Sequence, residues 1–491
     1  MPANSTPTLR SGRIAATDLP AYCPIKADGT AAAIGETIVG FTESIAKAGS
    51  RIAAVCDGSA IGVAGAAITD GDYLQVGLNN TVIKHTGGSA TVIGRALNSS
   101  AAGDFIEVLL ASMGGVASIP GVSEVYNLKA SNTTVSRNAL ASAGFTRSII
   151  QCVGDSFVQG RYSAGNTDVG ARKFSWPVLL AALLSGAGIP AQADSVCGWG
   201  SVTPSTIDGY VAYDPRVSYT GTVTKYSGIA GLGYEMFQLA AGATLTLTPG
   251  VTFDTIDVFY AAKASGATGV FTVSDAGGVK ATIDCNVGTA AIQTQTVTLA
   301  ANSTYVTFTA TSTCTISFFV PRTASKPVID VINCGQAGKP MQQWAPTAAA
   351  APYGTQASLN LLDGSLPAIT IFDGWYNDYK SGRTLAQFSA DLRAFCTWAK
   401  TKGDIWFVNY AKLDPVQVDA ATFKLWSETA MRIVIDEFDG VVVDIAKIIP
   451  DNATAVAQGI MASDKLHLQK GGHTLTARAL VTALLSTLDL A

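Results

Sequence analysis

Hydrophobic and polar positions follow three different rules along this chain. From the N-terminus to residue 113, short β-branched runs alternate with glycine turns: ETIVGF, RIAAVC, YLQVGL, TVIKH, TVIGRAL and FIEVLL. Turn signals at Asp57-Gly58, Asp70-Gly71-Asp72 and Gly87-Gly88 punctuate them. This pattern predicts a compact small β domain over residues 1–113. Residues 114–146 are mostly small and polar and read as a linker.

From Arg147 the rule changes. SIIQCV, VIDVIN, AITIFDGW, DIWFVNYA and VVVDIA are near-continuous apolar strands, as a parallel sheet covered on both faces requires. Helical stretches lie between them. SWPVLLAALLSG places Leu179, Leu180, Leu183 and Leu184 on one face, and LAQFSADLRAFCTWAKTKG follows from Leu385. The chain closes on a helix with Leu480, Val481, Leu484 and Leu488 on its apolar face. Alternating strands and helices predict an open α/β fold, in two parts covering 147–205 and 327–491. Between them, residues 206–326 alternate with period two: TLTLTPGVTFDTIDVFYA, GVFTVSDAGG, TYVTFTA, TISFFV. This predicts an antiparallel β-sandwich inserted at a loop of the α/β domain.

Composition narrows the function classes. Only 14% of the 491 residues are charged, against about a quarter in an ordinary soluble protein. Lys and Arg total 32 against 36 acidic residues, so neither nucleic acid nor an anionic membrane face is an expected partner. The best membrane-span candidate, Pro177 to Ala193, is broken by Gly186, Gly188 and Pro190. The first residues carry no apolar h-region, so no cleaved secretory signal is expected. The eight cysteines form no CxxC pair, and neither a metal site nor a disulfide framework is expected. Only Cys285 and Cys314, both in strand-like sequence, are candidates for pairing.

Three histidines leave few options for acid–base chemistry. His85, in the first domain, has no obvious partner. His467 follows Asp464 by three residues just before the last helix. On a helical turn that spacing puts both side chains on one side. The aspartate can then hold one ring nitrogen and aim the other at a nucleophile. Ser156 follows a buried-looking strand and precedes helical sequence, at the carboxyl edge of an α/β sheet where ligands bind. Its alternative role is a plain helix cap.

Gly154-Asp155-Ser156-Phe157-Val158-Gln159-Gly160 resembles the first signature block of the SGNH, or GDSL, hydrolases. Asn333-Cys334-Gly335-Gln336-Ala337-Gly338 resembles the second, Asn377-Asp378 the third and Asp464-x-x-His467 the last. The resemblance covers residues 147–491, interrupted by the sandwich, and implies an α/β/α hydrolase without a cofactor. It implies that Ser156 is the nucleophile, His467 the general base and Asp464 its orienting partner. The Ser156 and Gly338 backbone N–H groups and the Asn377 side-chain amide would form the oxyanion hole. Two positions depart from the family pattern. Trp375 stands where the third block usually has glycine. Cys197-Gly198-Trp199-Gly200-Ser201 rivals the second block, with Gly200 in place of Gly338. Asp155 and Asp378 read as structural supports and His473 as a residue that helps start the last helix. Trp199, Trp375, Tyr376 and Tyr379 are candidates for lining a sugar cleft or for ordinary packing.

Residues 10–113 resemble bacteriophage capsid cement, or head-decoration, proteins. The carrying phrases include Gly71-Asp72-Tyr73-Leu74, Val92-Ile93-Gly94-Arg95-Ala96-Leu97 and Ala102-Gly103-Asp104-Phe105-Ile106-Glu107-Val108-Leu109-Leu110. The inserted sandwich resembles jelly-roll modules of polysaccharide-active phage proteins. Together these imply a virion-surface esterase, on a phage head, that deacetylates host surface polysaccharide. The implied partners are the acetylated glycan, the major capsid protein and two further copies in a homotrimer. Two other readings are a glycan-binding decoration protein without turnover, and the same esterase on a tail fibre or spike. The separation of Ser156 Oγ from the His467 ring distinguishes an enzyme from an adhesin.

Overall fold

The computed structural model describes residues 7–110, with breaks at 27, 29, 34–35, 37, 39, 43–45, 70–71, 86–92 and 97. It then describes residues 124–490, apart from 197–205, 227–235 and 346–367. The chain divides into two compact units, residues 1–121 and 122–491.

In the first unit every strand pairing is antiparallel. The long strand Arg51–Val63 is the hub, pairing with Pro7–Ile14, Gly40–Thr42 and Phe105–Leu110. Phe41, Leu74, Val76, Val82, Ile106 and Val108 fill one apolar cluster, and Leu19, Cys23, Ile25 and Ala46 a smaller one. His85 does have a partner: its Nδ1 lies 2.9 Å from Gln75 Oε1, across the paired strands Tyr73–Val76 and Val82–Lys84.

The second unit is built on a seven-stranded sheet. Its order runs Ala191–Gln192, Ile329–Gly335, Ser148–Gly154, Ala368–Phe372, Ile405–Asn409, Val441–Asp444, Val125–Tyr126. Six strands are parallel, and Val125–Tyr126 adds antiparallel at one edge. The central strands are buried along their whole length, which is why they read as unbroken apolar runs. Val125–Tyr126 and the helix Thr134–Ala141 correct the expected linker over 114–146. Ser136 there donates its N–H and hydroxyl to buried Asp404, so this stretch is part of the second unit. Its short, polar-rich pieces lack the long apolar period that would have marked them.

The helix Trp176–Gly186 buries Trp176, Leu180 and Leu184, and Lys470–Ser486 buries Leu480 and Leu484. Leu179 and Leu183 lie at the margin of that face, and Leu488 is exposed beyond the last helix. No helix among the described residues is long and apolar enough to cross a membrane.

Between Val217 and Arg322 stand two five-stranded antiparallel sheets. One, containing Val270–Asp275 and Val306–Ala310, alternates buried and half-buried positions. In the other, Phe253–Ala262 and Cys314–Arg322 are buried on both faces. Its one side meets the first sheet through Val258, Ile316 and Phe319. Its other side, with Phe259 stacked on Phe318 at 3.8 Å, packs into the core of the α/β sheet. Arg147, beside the first α/β strand, reaches Asp330 at 2.6 Å and Asp257 of the sandwich at 3.4 Å. Asp257 also receives Arg322 at 2.9 Å. The antiparallel sheets are thus packed onto the α/β core and are not tethered by a loop alone. Cys285 and Cys314 are both buried free thiols; burial pushes the Cys285 thiol up to about 12 and raises Cys314 as well.

Candidate active site

Four of the parallel strands end at one edge, and each is followed by a residue of the site. Ser156 follows Ser148–Gly154, Gly338 follows Ile329–Gly335, Asn377 follows Ala368–Phe372, and Tyr410 follows Ile405–Asn409. Open parallel sheets bind ligands at this edge.

The turn into Ser156 is forced by packing. Gly154 adopts φ 154°, and a Cβ there would lie 2.1 Å from Asp373 Oδ1. Asp155 then accepts the Phe157 N–H at 2.9 Å and caps the short helix Ser156–Gln159. Ser156 opens that helix, so its own N–H has no intrahelical acceptor. A Cβ on Gly335 would lie 2.0 Å from the Gln159 backbone nitrogen, so the second-block strand can approach this helix only with glycine there.

His467 is buried, with Nε2 2.8 Å from Ser156 Oγ and Nδ1 2.5 Å from Asp464 Oδ2. With a carboxylate on Nδ1, the ring proton sits there and Nε2 is free to accept the Ser156 hydroxyl proton. Asp464 and His467 are not on a helix, contrary to the spacing argument. They sit on a turn in which Asp464 Oδ1 accepts the N–H groups of Leu466 and His467, both at 3.0 Å. Lys465, between them, takes φ 60°. Burial raises the Asp464 carboxyl, but the His467 hydrogen bond and charge and the two backbone donors outweigh it and lower it overall.

Residues outside the motifs hold this turn. Asn166 Oδ1 accepts the Ser463 N–H at 2.8 Å and its hydroxyl at 3.0 Å. Lys465 pairs with Asp414 at 3.0 Å. The Tyr162 ring meets the His467 ring edge-on at 5.3 Å. Single polar residues in loops carry no periodic signal, so the sequence did not mark them.

The expected oxyanion donors divide as follows. Asn377 is half-buried and donates one amide hydrogen to Asp155 Oδ2 at 2.7 Å, which leaves its second hydrogen unused by that bond. Gly338 lies on an exposed turn with φ 79°, and its N–H donates to no group among the described residues. That turn is anchored by Gln336 N–H on Gly154 C=O at 2.9 Å and Ala337 N–H on Gln159 Oε1 at 2.9 Å. The rival Gly200 block, with Trp199, lies outside the described residues.

The remaining candidates take structural places. Trp375 is fully buried against Tyr410, Phe423 and Trp426, which decides for ordinary packing over a place in a sugar cleft. Tyr376 is buried and donates to Gln417, and Tyr379 packs edge-on against Trp426. Aromatic character alone did not separate a cleft wall from a core. His473 is inside the last helix and fully buried, where its Nδ1 accepts the Trp176 N–H at 3.3 Å. Burial drives its pKa down to about 3, so it stays neutral.

Asp378 is buried beside Asn377 and braces the second-block segment. Its Oδ2 accepts the Met341 N–H at 2.7 Å, and Arg383 Nε lies 3.2 Å from Oδ1. Burial raises its pKa to about 7 against the pull of Met341 N–H and Arg383, with Asp391 and Asp155 adding repulsion. The unfolded carboxyl titrates near 4. The folded state therefore binds the proton more tightly, and Asp378 stabilises most below pH 4. That contribution is lost as pH rises through 7, on the order of 4 kcal/mol in full. Asp378→Asn is expected to flatten the fall in melting temperature between pH 5 and pH 8; an unchanged slope would refute this assignment.

No family model matches this chain, and no curated protein matches it in sequence. Among solved structures it is similar to a peptidoglycan O-acetylesterase, at 16% identity and a TM-score of 0.56, over 75% of this chain and 100% of that one. It also matches a lipolytic protein of the G-D-S-L family from Veillonella parvula, at 16% identity and TM-score 0.26, over 31% and 79% of the two chains. The N base of head fiber gp8.5 of bacteriophage phi29 matches at 18% identity and TM-score 0.19, over 23% and 97%. The first similarity shows a shared fold; the other two, below a TM-score of 0.5, bear no weight.

Proposed function

We propose that this chain is a serine ester hydrolase of the SGNH type that removes O-acetyl groups from a polysaccharide. The observation that carries the reading is the line Asp464–His467–Ser156, with separations of 2.5 and 2.8 Å. The fold shared with a peptidoglycan O-acetylesterase supports the substrate class.

In this reading His467 Nε2 takes the Ser156 hydroxyl proton as Oγ attacks the acetyl carbonyl carbon. The carbonyl oxygen becomes an oxyanion held by the Ser156 and Gly338 N–H groups and the Asn377 amide. The imidazolium, stabilised by Asp464, gives its proton to the departing sugar hydroxyl, leaving acetyl-Ser156. Water then attacks the acyl group as His467 again takes a proton. Acetate leaves, and the proton returns to Ser156 Oγ.

On the resemblance of residues 10–113 alone, we further propose that the N-terminal unit anchors a homotrimer to the major capsid protein of a phage head. The hydrolase would then face host surface polysaccharide.

The test is acetate release from O-acetylated peptidoglycan and from acetylated capsular polysaccharide. Wild type is expected to release acetate from at least one of them and Ser156→Ala from neither. Tight glycan binding without acetate release would replace this reading with the adhesive one.

A further inference from the structure

The geometry points to Tyr410 as a positioning residue for the reaction: we propose that its hydroxyl, acting through Asp155, holds the Asn377 amide in the orientation that receives the oxyanion. This inference rests on the serine hydrolase reading above and names a residue outside all four motif blocks.

Tyr410 directly follows the strand Ile405–Asn409 and is 1% exposed. Its hydroxyl donates to Asp155 Oδ2 at 2.6 Å. The same oxygen accepts Asn377 Nδ2 at 2.7 Å. The other oxygen, Oδ1, accepts the Phe157 N–H at 2.9 Å. Asp155 is thus a buried carboxylate with three donors, coming from the strand ends or turns that carry Ser156, Asn377 and Tyr410.

Each donor has a distinct consequence. The Phe157 N–H ties Asp155 to the turn that presents Ser156. The Asn377 bond fixes the plane of that amide. An asparagine amide otherwise rotates broadly about its last torsion. Because the group is planar, pinning one N–H sets the direction of the other. Tyr410 sets the carboxylate itself, since without its hydroxyl Oδ2 keeps a single donor.

The surroundings make that third donor consequential. Burial pushes the Asp155 carboxyl up, while the Phe157, Tyr410 and Asn377 donors and the His467 charge oppose the shift. Asp373 Oδ1 accepts the Asp155 N–H at 3.1 Å. Burial first, then the Asp155 charge, raise Asp373 well above the usual carboxylate range. Asp155 can accept from Asn377 at Oδ2 only while that oxygen carries no proton. The Tyr410 hydrogen bond favours that state.

Tyr410 is also fixed in place. Its ring meets Phe157 edge-on at 4.5 Å and Trp375 at 5.3 Å. Trp375 stands where the resembled family usually has glycine, and here it forms one wall of the Tyr410 pocket. Tyr410→Phe therefore removes one oxygen and leaves the ring contacts intact.

The experiment is a double-mutant cycle on kcat for p-nitrophenyl acetate, with Tyr410→Phe and Asn377→Ala separately and together. Tyr410→Phe is expected to lower kcat roughly tenfold with KM little changed, as for a hydrogen bond to a charged group. In the Asn377→Ala background the same substitution is expected to change kcat less than about twofold, because the relay has lost its endpoint. Equal losses in both backgrounds, or an unchanged kcat in Tyr410→Phe, would overturn the proposal. If Tyr410→Phe does not fold, Asp155→Asn takes its place in the cycle; part of its loss acts through the Phe157 turn, so a smaller loss is expected in the Asn377→Ala background than in wild type, and equal losses again refute the proposal. Failure of the underlying reading looks different, because Ser156→Ala would then retain wild-type turnover.

Discussion

Ser156→Ala is expected to lower kcat for p-nitrophenyl acetate by on the order of ten-thousandfold or more, the scale for removal of a triad nucleophile. The substitution deletes one oxygen from a buried position and leaves the backbone turn intact. Gly154, the Asp155 cap and Gly335 hold that turn without using the Ser156 hydroxyl. The folded state is therefore expected to survive, and circular dichroism and melting temperature check this. His467→Ala is expected to cost a similar factor. The double variant should be no worse than either single one, because the hydroxyl and imidazole act as one proton-transfer unit across 2.8 Å. Initial rates under saturating substrate measure all three. If Ser156→Ala retains more than a few percent of wild-type turnover, Ser156 is not the nucleophile.

Asn377→Ala is expected to lower kcat by roughly 100- to 1000-fold, with KM moving far less. In the proposed mechanism its amide meets charge that exists only after Oγ has attacked, so the lost interaction would belong to the transition state. The Ser156 and Gly338 N–H groups remain, which is why the expected loss is smaller than that for the nucleophile. The residual rate should exceed that of Ser156→Ala by at least tenfold. Steady-state kinetics on an activated acetyl ester give the split between kcat and KM. A rise in KM at constant kcat would instead place Asn377 in ground-state binding and leave the oxyanion without that donor.

Ser156, Asp464 and His467 were singled out before any coordinates through the SGNH resemblance, whose blocks are short local patterns. A strand followed by Gly-Asp-Ser and an Asp three residues before His are local patterns. Even so, the reason for the second spacing was misjudged. Asp464 and His467 meet through a turn closed by two backbone N–H groups on the carboxylate, not through a helical repeat. Trp375 and Tyr376 were left open between a cleft wall and ordinary packing for a related reason. An aromatic ring looks the same in sequence whether it faces a sugar or Trp426, and only packing decides.

The antiparallel block illustrates the limit of periodicity. Period two marked its strands but could not say that Phe253–Ala262 is covered on both faces. That fact comes from a second layer outside the antiparallel block, the α/β core against which Phe259 and Phe318 pack.

By itself, the sequence determined the succession of β, α/β and antiparallel segments, because strands and helices bury apolar faces with fixed periods of two and 3.6 residues. Through its resemblance to the SGNH hydrolases it also singled out Ser156, His467 and Asp464. Tertiary structure alone decided that these three meet within hydrogen-bonding distance, that residues 125–141 join the α/β unit, and that Tyr410 reaches Asp155. Asp155 and Tyr410 are 255 positions apart, and the sequence carries no trace of their 2.6 Å contact. Parallel strands remote in sequence are hydrogen-bonded into one sheet, and its carboxyl edge is where their loops converge.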